Sequence, residues 1–440
     1  MSLIMNRIRT SFCKVLLITC CITSGQTKKI SSIDHNEPYL LSKEEISQDF
    51  DSLVHFVENT HPKMTHTVNI ADYVKAKQEI RQSLADMTTK EAWRLFSKLN
   101  PIFNDAHFGL MVPERNPDSL NINTYIEIIG NEVYAGPHQY SKKVKVFSIG
   151  NLEMQKFLED ARKIVRGESK ELKNFVIQRR FSHYLDLFDV NPNSDPWVVL
   201  EEKIPIPTNW TQLSHSFSKK GKTKNLFEYK YLGKKKALLT IRTFDKAKLQ
   251  EFEEFLEKCF ETIFRKKIET LVIDVSENGG GARELSDKLL SYLTTTKYTP
   301  TSKITARVAK ENINRLPHLK IGDTITLDFP QWTEPKNDKI FEGKIFVAIN
   351  ERTYSQALVF SYIVQDFNIG TLMGKETGGR SNQSAQVKKY ILPNSGITVL
   401  SPLYIFYRPK HAKANRGVVP DIEVDLPLEK KSLKNIVSRQ

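Results

Sequence analysis

Three short stretches hold residue types from which an active site can be assembled. Asn278-Gly279-Gly280-Gly281 follows an apolar run at 271–275, Thr353-Tyr354-Ser355-Gln356-Ala357 follows another at 345–349, and His107 sits within Asp105-Ala106-His107-Phe108-Gly109-Leu110. Consecutive glycines after a strand let backbone N–H groups approach a ligand closely, which suits an oxyanion hole or a phosphate cradle. The phosphate alternative lacks its signature, since neither a Gly-Lys-Ser/Thr ending nor a G-x-G-x-x-G spacing follows. A bare glycine run also serves as a tight turn. A serine at a helix start lies beside unpaired amides, here that of Gln356, and the positive end of the helix dipole, but such a serine is ordinarily an N-cap. A histidine in a turn is ordinarily a hydrogen-bonded structural residue, although imidazole titrates near neutrality and serves as a general base. Taken singly, the three stretches keep these ordinary roles. The other histidines show no ligand spacing such as H-x-x-x-H, so no metal site is expected.

The elements that must position these residues follow from periodicity. From 237 onward the pattern alternates: a strand at 237–241, an amphipathic helix marked by Leu249, Phe252, Leu256, Phe260 and Ile263, a buried strand at 271–275, and a helix through Leu285, Leu289, Leu290 and Leu293. A buried strand at 345–349 and a helix at 355–366 complete the repeat, which predicts an α/β fold with a largely parallel, helix-covered sheet. Ligands in such sheets gather at the C-terminal ends of the strands, where the glycine run and Ser355 both fall. Upstream, residues 38–110 read as a small helical domain, with Ser42/Glu45 and Thr88/Glu91 as capping boxes. Residues 111–204 mix short strands with helices at 154–164 and 170–185, an α+β module. Residues 205–235 read as linker and first core strand, 236–428 as the core, and 429–440 as a basic tail.

Composition limits the function classes. The chain has 440 residues, 40% hydrophobic and 26% charged, with a net charge of +14. Residues 1–25 have the layout of a secretory signal: Arg7, Arg9 and Lys14, then an apolar run at 15–22 too short to span a bilayer, then small polar residues. Cleavage fits either a lipoprotein box ending at Cys20 or an ordinary signal site before Gln26, so the protein is expected to be exported: periplasmic, extracellular, or anchored in the cell envelope through a lipid on Cys20 or Cys21. Export would leave Cys259 as the internal cysteine, with no structural disulfide. The lysines, including the cluster at 219–224, are unaccompanied by a nucleic-acid motif, and no nucleic-acid partner is expected.

In order along the chain, Leu271-Val272-Ile273-Asp274 with Asn278-Gly279-Gly280-Gly281, Thr353-Tyr354-Ser355-Gln356-Ala357, Gly374-Lys375-Glu376-Thr377-Gly378-Gly379 and Gly417-Val418-Val419-Pro420-Asp421 resemble the signature of the C-terminal processing peptidases. That family of serine peptidases includes tail-specific proteases, the tricorn core protease and the photoreceptor retinoid-binding protein. The resemblance covers about 237–424 and implies a crotonase-like (ClpP-like) βα core preceded by a PDZ-like module, which 111–204 fits in degenerate form. It places Ser355 on the family's nucleophile, and the amides of Gln356 and of Gly279 or Gly280 on its oxyanion hole. It implies peptide or unfolded-protein substrates and no cofactor. The lysine base of tail-specific proteases corresponds here to Arg380, whose guanidinium stays protonated and cannot act as base. Lys375 would need a different loop path to replace it. The chain is closest to the tricorn-like branch, in which a histidine before the PDZ-like module is the base; His107 matches it. That branch's supporting glutamate corresponds to Ala414, leaving Asp105 as the nearest carboxylate in sequence and Arg380 as a supporting residue. The expected function is peptide-bond hydrolysis through an acyl-enzyme on Ser355. The alternative is an inactive family member that binds a peptide or apolar ligand in the same cleft.

Overall fold

The structure is a computed structural model that describes residues 39–111, 125–136, 143–192, 194–201, 204–208, 225–310, 312–315, 318–410 and 415–426. The signal-like segment 1–25 with Cys20 and Cys21, the lysine cluster 219–224, Ala414 and the tail 429–440 lie outside these residues.

The N-terminal part is helical for local reasons. Helices Lys43–Thr60 and Thr89–Phe96 each begin with a reciprocal capping box, Ser42 with Glu45 and Thr88 with Glu91. Each box satisfies two amides that the first helical turn leaves unpaired. Ile46, Phe50, Leu53 and Val57 form the buried stripe of the first helix.

A second sheet is wholly antiparallel, ordered Tyr125–Ile129, Glu132–Gly136, Val144–Ile149, Trp197–Glu201 and Ile204–Thr208. Pro205, at the expected start of the linker, falls inside the last of these strands. The helix expected over 170–185 is two helices, Lys170–Arg179 and Phe181–Leu187, divided at Arg180. The helical region and this module share one continuous core, in which Phe50, Trp93 and Phe103 are buried with Phe157, Leu185 and Trp197.

The C-terminal half is built on a six-stranded sheet in the order Phe227–Gly233, Lys236–Ile241, Thr270–Asp274, Lys344–Ile349, Thr371–Gly374 and Ile422–Glu423. All neighbours are parallel except the first pair. Alternation sends Leu271, Ile273, Val347 and Ile349 into the core under helices Leu249–Arg265, Arg283–Ser291 and Gln356–Asp366, while Val272, Phe346 and Ala348 meet Met373 on the other face. A further antiparallel sheet carries the hairpin of Gln383–Ile391 with Thr398–Tyr407, next to Lys303–Arg307 and Thr324–Asp328.

Several contacts tie the halves together, two of them at one hairpin. The two-residue strand Gly109–Leu110 pairs antiparallel with Val399 and Leu400. Asp49, fully buried, accepts the amides of Asn394 (2.9 Å) and Ser395 (2.8 Å) at the hairpin tip. Residues separated by most of the chain are thereby held as neighbours, which places His107 over the C-terminal core.

Candidate active site

Strands Thr270–Asp274 and Lys344–Ile349 are parallel neighbours, so the loops leaving their C-terminal ends lie side by side. Side chains and backbone stitch them together. Thr353 Oγ1 donates to the Val275 carbonyl (3.1 Å) and the Tyr354 amide donates to the Asn278 carbonyl (3.1 Å). Asn278 Oδ1 accepts the Gly280 amide (2.9 Å), folding the glycine run back on itself. Gly280 has φ +100°, and a Cβ added there would lie 2.6 Å from Ser355 Cβ and 2.8 Å from the Gln356 nitrogen. Only glycine permits this approach.

Ser355 occupies the residue before helix Gln356–Asp366 with φ 52° and ψ −121°, an unusual conformation for a residue with a side chain. Its hydroxyl makes no capping bond. The expectation of a helix beginning at 355 is therefore off by one residue, because this reversal turns the serine side chain out of the helix entrance. It faces His107 instead, whose Nε2 is 3.4 Å from Ser355 Oγ. The Gln356 amide is in the first helical turn, and its side chain is anchored by a bond to Ser286 Oγ (2.8 Å).

His107 is fixed from three sides. Its own amide donates to Asp105 Oδ1 (2.8 Å), its ring stacks on Tyr354 with centroids 5.0 Å apart, and Nδ1 lies 2.9 Å from the Tyr354 hydroxyl. That hydroxyl also donates to Glu168 Oε1 (3.2 Å), while Glu168 Oε2 accepts the Ala106 amide (3.2 Å). Asp105 Oδ1 is 3.8 Å from His107 Nδ1, beyond hydrogen-bond reach, and Asp105 Oδ2 accepts from Ser384 Oγ. Removal from water lowers the pKa of His107, against the raising effect of Asp105, so the ring is neutral at physiological pH. Glu168 moves the other way, to about 8, through loss of hydration and the negative charge of Asp105.

The remaining sequence candidates are also placed. Arg380 donates to the Asn104 carbonyl (2.6 Å) and so braces the turn ahead of His107. Lys375 points away, paired with Glu423 (2.8 Å) and Asp425 (3.2 Å). Gly279 lines a cleft of about 1050 Å³ on the far side of the glycine loop, together with Arg179, Arg180 and Lys246. Gly281 lines both this cleft and a cavity of about 360 Å³ beside Ser355, walled by Ile304, Phe329, Val359, Tyr404 and Phe406. The sequence assigns no role of their own to Tyr354 and Glu168. Tyr354 was in view as the neighbour of Ser355, whereas nothing near Glu168 in sequence marks it. Among the described residues, no cluster of His, Cys, Asp or Glu could hold a metal ion, and no helix is long and apolar enough to cross a membrane.

Residues 235–424 match the family model of peptidase family S41. Over that span the chain is similar to the S41 peptidases. Members of the family cleave peptide bonds, and the matched span contains the glycine loop and Ser355 but not His107. No curated protein matches the sequence significantly. Among solved structures, mature CPAF in complex with lactacystin superposes with a TM-score of 0.62 at 15% identity, over 90% of this chain and 97% of CPAF. The photosystem II D1 C-terminal processing protease gives 0.49 at 11% identity, over 90% and 96%. At these identities the likeness to CPAF is one of fold. It extends through nearly the whole chain, so the S41-like core and the parts before it form an arrangement already seen in a solved protein.

Proposed function

We propose that this protein cleaves peptides or unfolded protein segments through an acyl-enzyme on Ser355, with His107 as general base. The observation that carries this reading is the 3.4 Å approach of His107 Nε2 to a Ser355 hydroxyl that a strained turn has released from capping. In the reaction, Ser355 Oγ attacks the scissile carbonyl while its proton passes to His107, which returns it to the leaving amine; water then repeats the sequence on the ester. The oxyanion would be met by the Gln356 amide and the positive end of its helix, with the glycine loop packed alongside. The apolar cavity beside Ser355 suits a hydrophobic substrate side chain, and the cleft across the glycine loop suits the chain on the other side of the scissile bond. The crotonase-like reading of the core and the PDZ-like reading of the antiparallel module belong to this proposal, as does export directed by residues 1–25.

A fluorophosphonate probe tests it. Wild-type protein is expected to be labelled on Ser355 and to hydrolyse unfolded substrates, while Ser355→Ala and His107→Ala remain folded and lose turnover by about 10³-fold or more. Folded wild-type protein that takes no label would favour a ligand-binding role for the same cleft.

A further inference from the structure

We propose that Glu168, acting through the Tyr354 hydroxyl, sets the tautomer of His107 and stabilises its protonated form, as a positioning residue for the base. The inference rests on the assignment of Ser355 and His107 above. The histidine base of such a site needs a partner at its second nitrogen, and the acid nearest in sequence does not provide it. Asp105 is 3.8 Å from Nδ1 and already accepts the His107 amide and the Ser384 hydroxyl. Tyr354 Oη, at 2.9 Å, is the atom that meets Nδ1, and Glu168 is behind it at 3.2 Å.

The direction of the hydrogen bonds then decides whether His107 can work. With Glu168 ionised, its carboxylate accepts both the Tyr354 O–H and the Ala106 N–H. The Tyr354 oxygen is left to accept, so Nδ1 carries the proton and Nε2 presents its lone pair to the Ser355 hydroxyl. With Glu168 protonated and donating to Tyr354, the phenol donates to Nδ1. The ring proton then sits on Nε2 and blocks proton abstraction. Tyr354 and Glu168 exchange no proton with the substrate. Only the Ser355 proton moves, to Nε2 and then to the leaving nitrogen, as the Oγ–C bond forms and the C–N bond breaks. The ionised carboxylate offsets the positive imidazolium formed in between.

The charged and titratable groups that face Glu168 are Asp105 from the His107 turn, Tyr354 from the nucleophile loop, Arg380 from the loop after Gly379 and Lys173 from helix Lys170–Arg179. Arg166, on Glu168's own segment, faces His107 and Tyr354. Lost hydration, and after it the charge of Asp105, hold Glu168 up at about 8 against the opposing effects of Arg380 and the Tyr354 hydrogen bond, so the competent tautomer is populated as pH rises through that value.

The test is the rate of fluorophosphonate acylation of Ser355 in the full chain, measured from about pH 6 to about pH 9.5. Wild type is expected to accelerate through a limb centred near pH 8. Tyr354→Phe and Glu168→Gln are expected to react about 10- to 1000-fold more slowly at the plateau and to lack the limb, while Glu168→Asp keeps it at a reduced rate. Either of the first two variants, folded and matching wild type at every pH, overturns the proposal. So does a slow variant that retains the limb, since that marks a merely structural role. If Glu168→Gln does not fold, Tyr354→Phe decides alone. Wild-type protein that is never labelled would instead overturn the Ser355 assignment, and this proposal with it.

Discussion

Ser355 shows how a local backbone choice takes a common helix-start residue out of its capping role. With the extended φ and ψ usual for an N-cap its hydroxyl would be spent on capping, but φ 52° turns it toward His107. Holding a non-glycine residue there costs on the order of 1–3 kcal/mol, which the bonds between the two loops offset. Gly280 supplies the space. Gly280→Ala puts a methyl 2.6 Å from Ser355 Cβ at a φ of +100°, and is expected to slow Ser355 labelling by about 100-fold or more while destabilising the protein by about 1–3 kcal/mol. Probe kinetics together with urea unfolding check both numbers, and near-wild-type labelling would show that the loop yields easily. At this scale the sequence was legible where chemistry is written in consecutive residues: Asn278 to Gly281, and Thr353 to Ala357. Glu168 was not, because its partners Ala106 and Tyr354 lie 62 and 186 positions away. No spacing rule links such residues, and only the packing of the module on the core brings them together.

Among the elements, the hairpin of Gln383–Ile391 and Thr398–Tyr407 joins the parts of the chain. Its second strand takes Gly109–Leu110 as a partner, and its tip is capped by Asp49 from the first helix. Asp49→Ala leaves two amides without their anionic acceptor and is expected to lower stability by about 2–3 kcal/mol, with Asp49→Asn, which keeps one acceptor, losing roughly half of that. Chemical denaturation of the two variants measures the difference; equal stability of all three proteins would deny Asp49 this role. The capping boxes, the amphipathic helix 249–265 and the buried strands were readable because each is encoded within a few residues. The two-residue strand at 109–110 was not readable as a strand partner of 399–400. Two residues show no periodicity, and what fixes them is pairing to a strand far away.

Across the whole molecule, the helical region and the antiparallel module share one continuous core. Cys259, on the buried face of helix Leu249–Arg265, has its thiol pushed up to about 12 by loss of hydration. In a chain carrying Cys13, Cys20 and Cys21 replaced by Ser, Ellman's reagent is therefore expected to leave native protein unreacted at about pH 8 and to titrate Cys259 in step with global unfolding in urea. Reaction well before the unfolding transition would show that the core opens locally.

The pairing of Gly109–Leu110 with Val399 and Leu400 also has a meaning in time. A ribosome releases residue 107 early and residues 399–400 near the end, so the base has no dock while the chain is being made. The nucleophile at 355, once released, still waits for that strand. Under the proposed roles of Ser355 and His107, the site is therefore incomplete through nearly all of synthesis and closes only when the last long strand arrives.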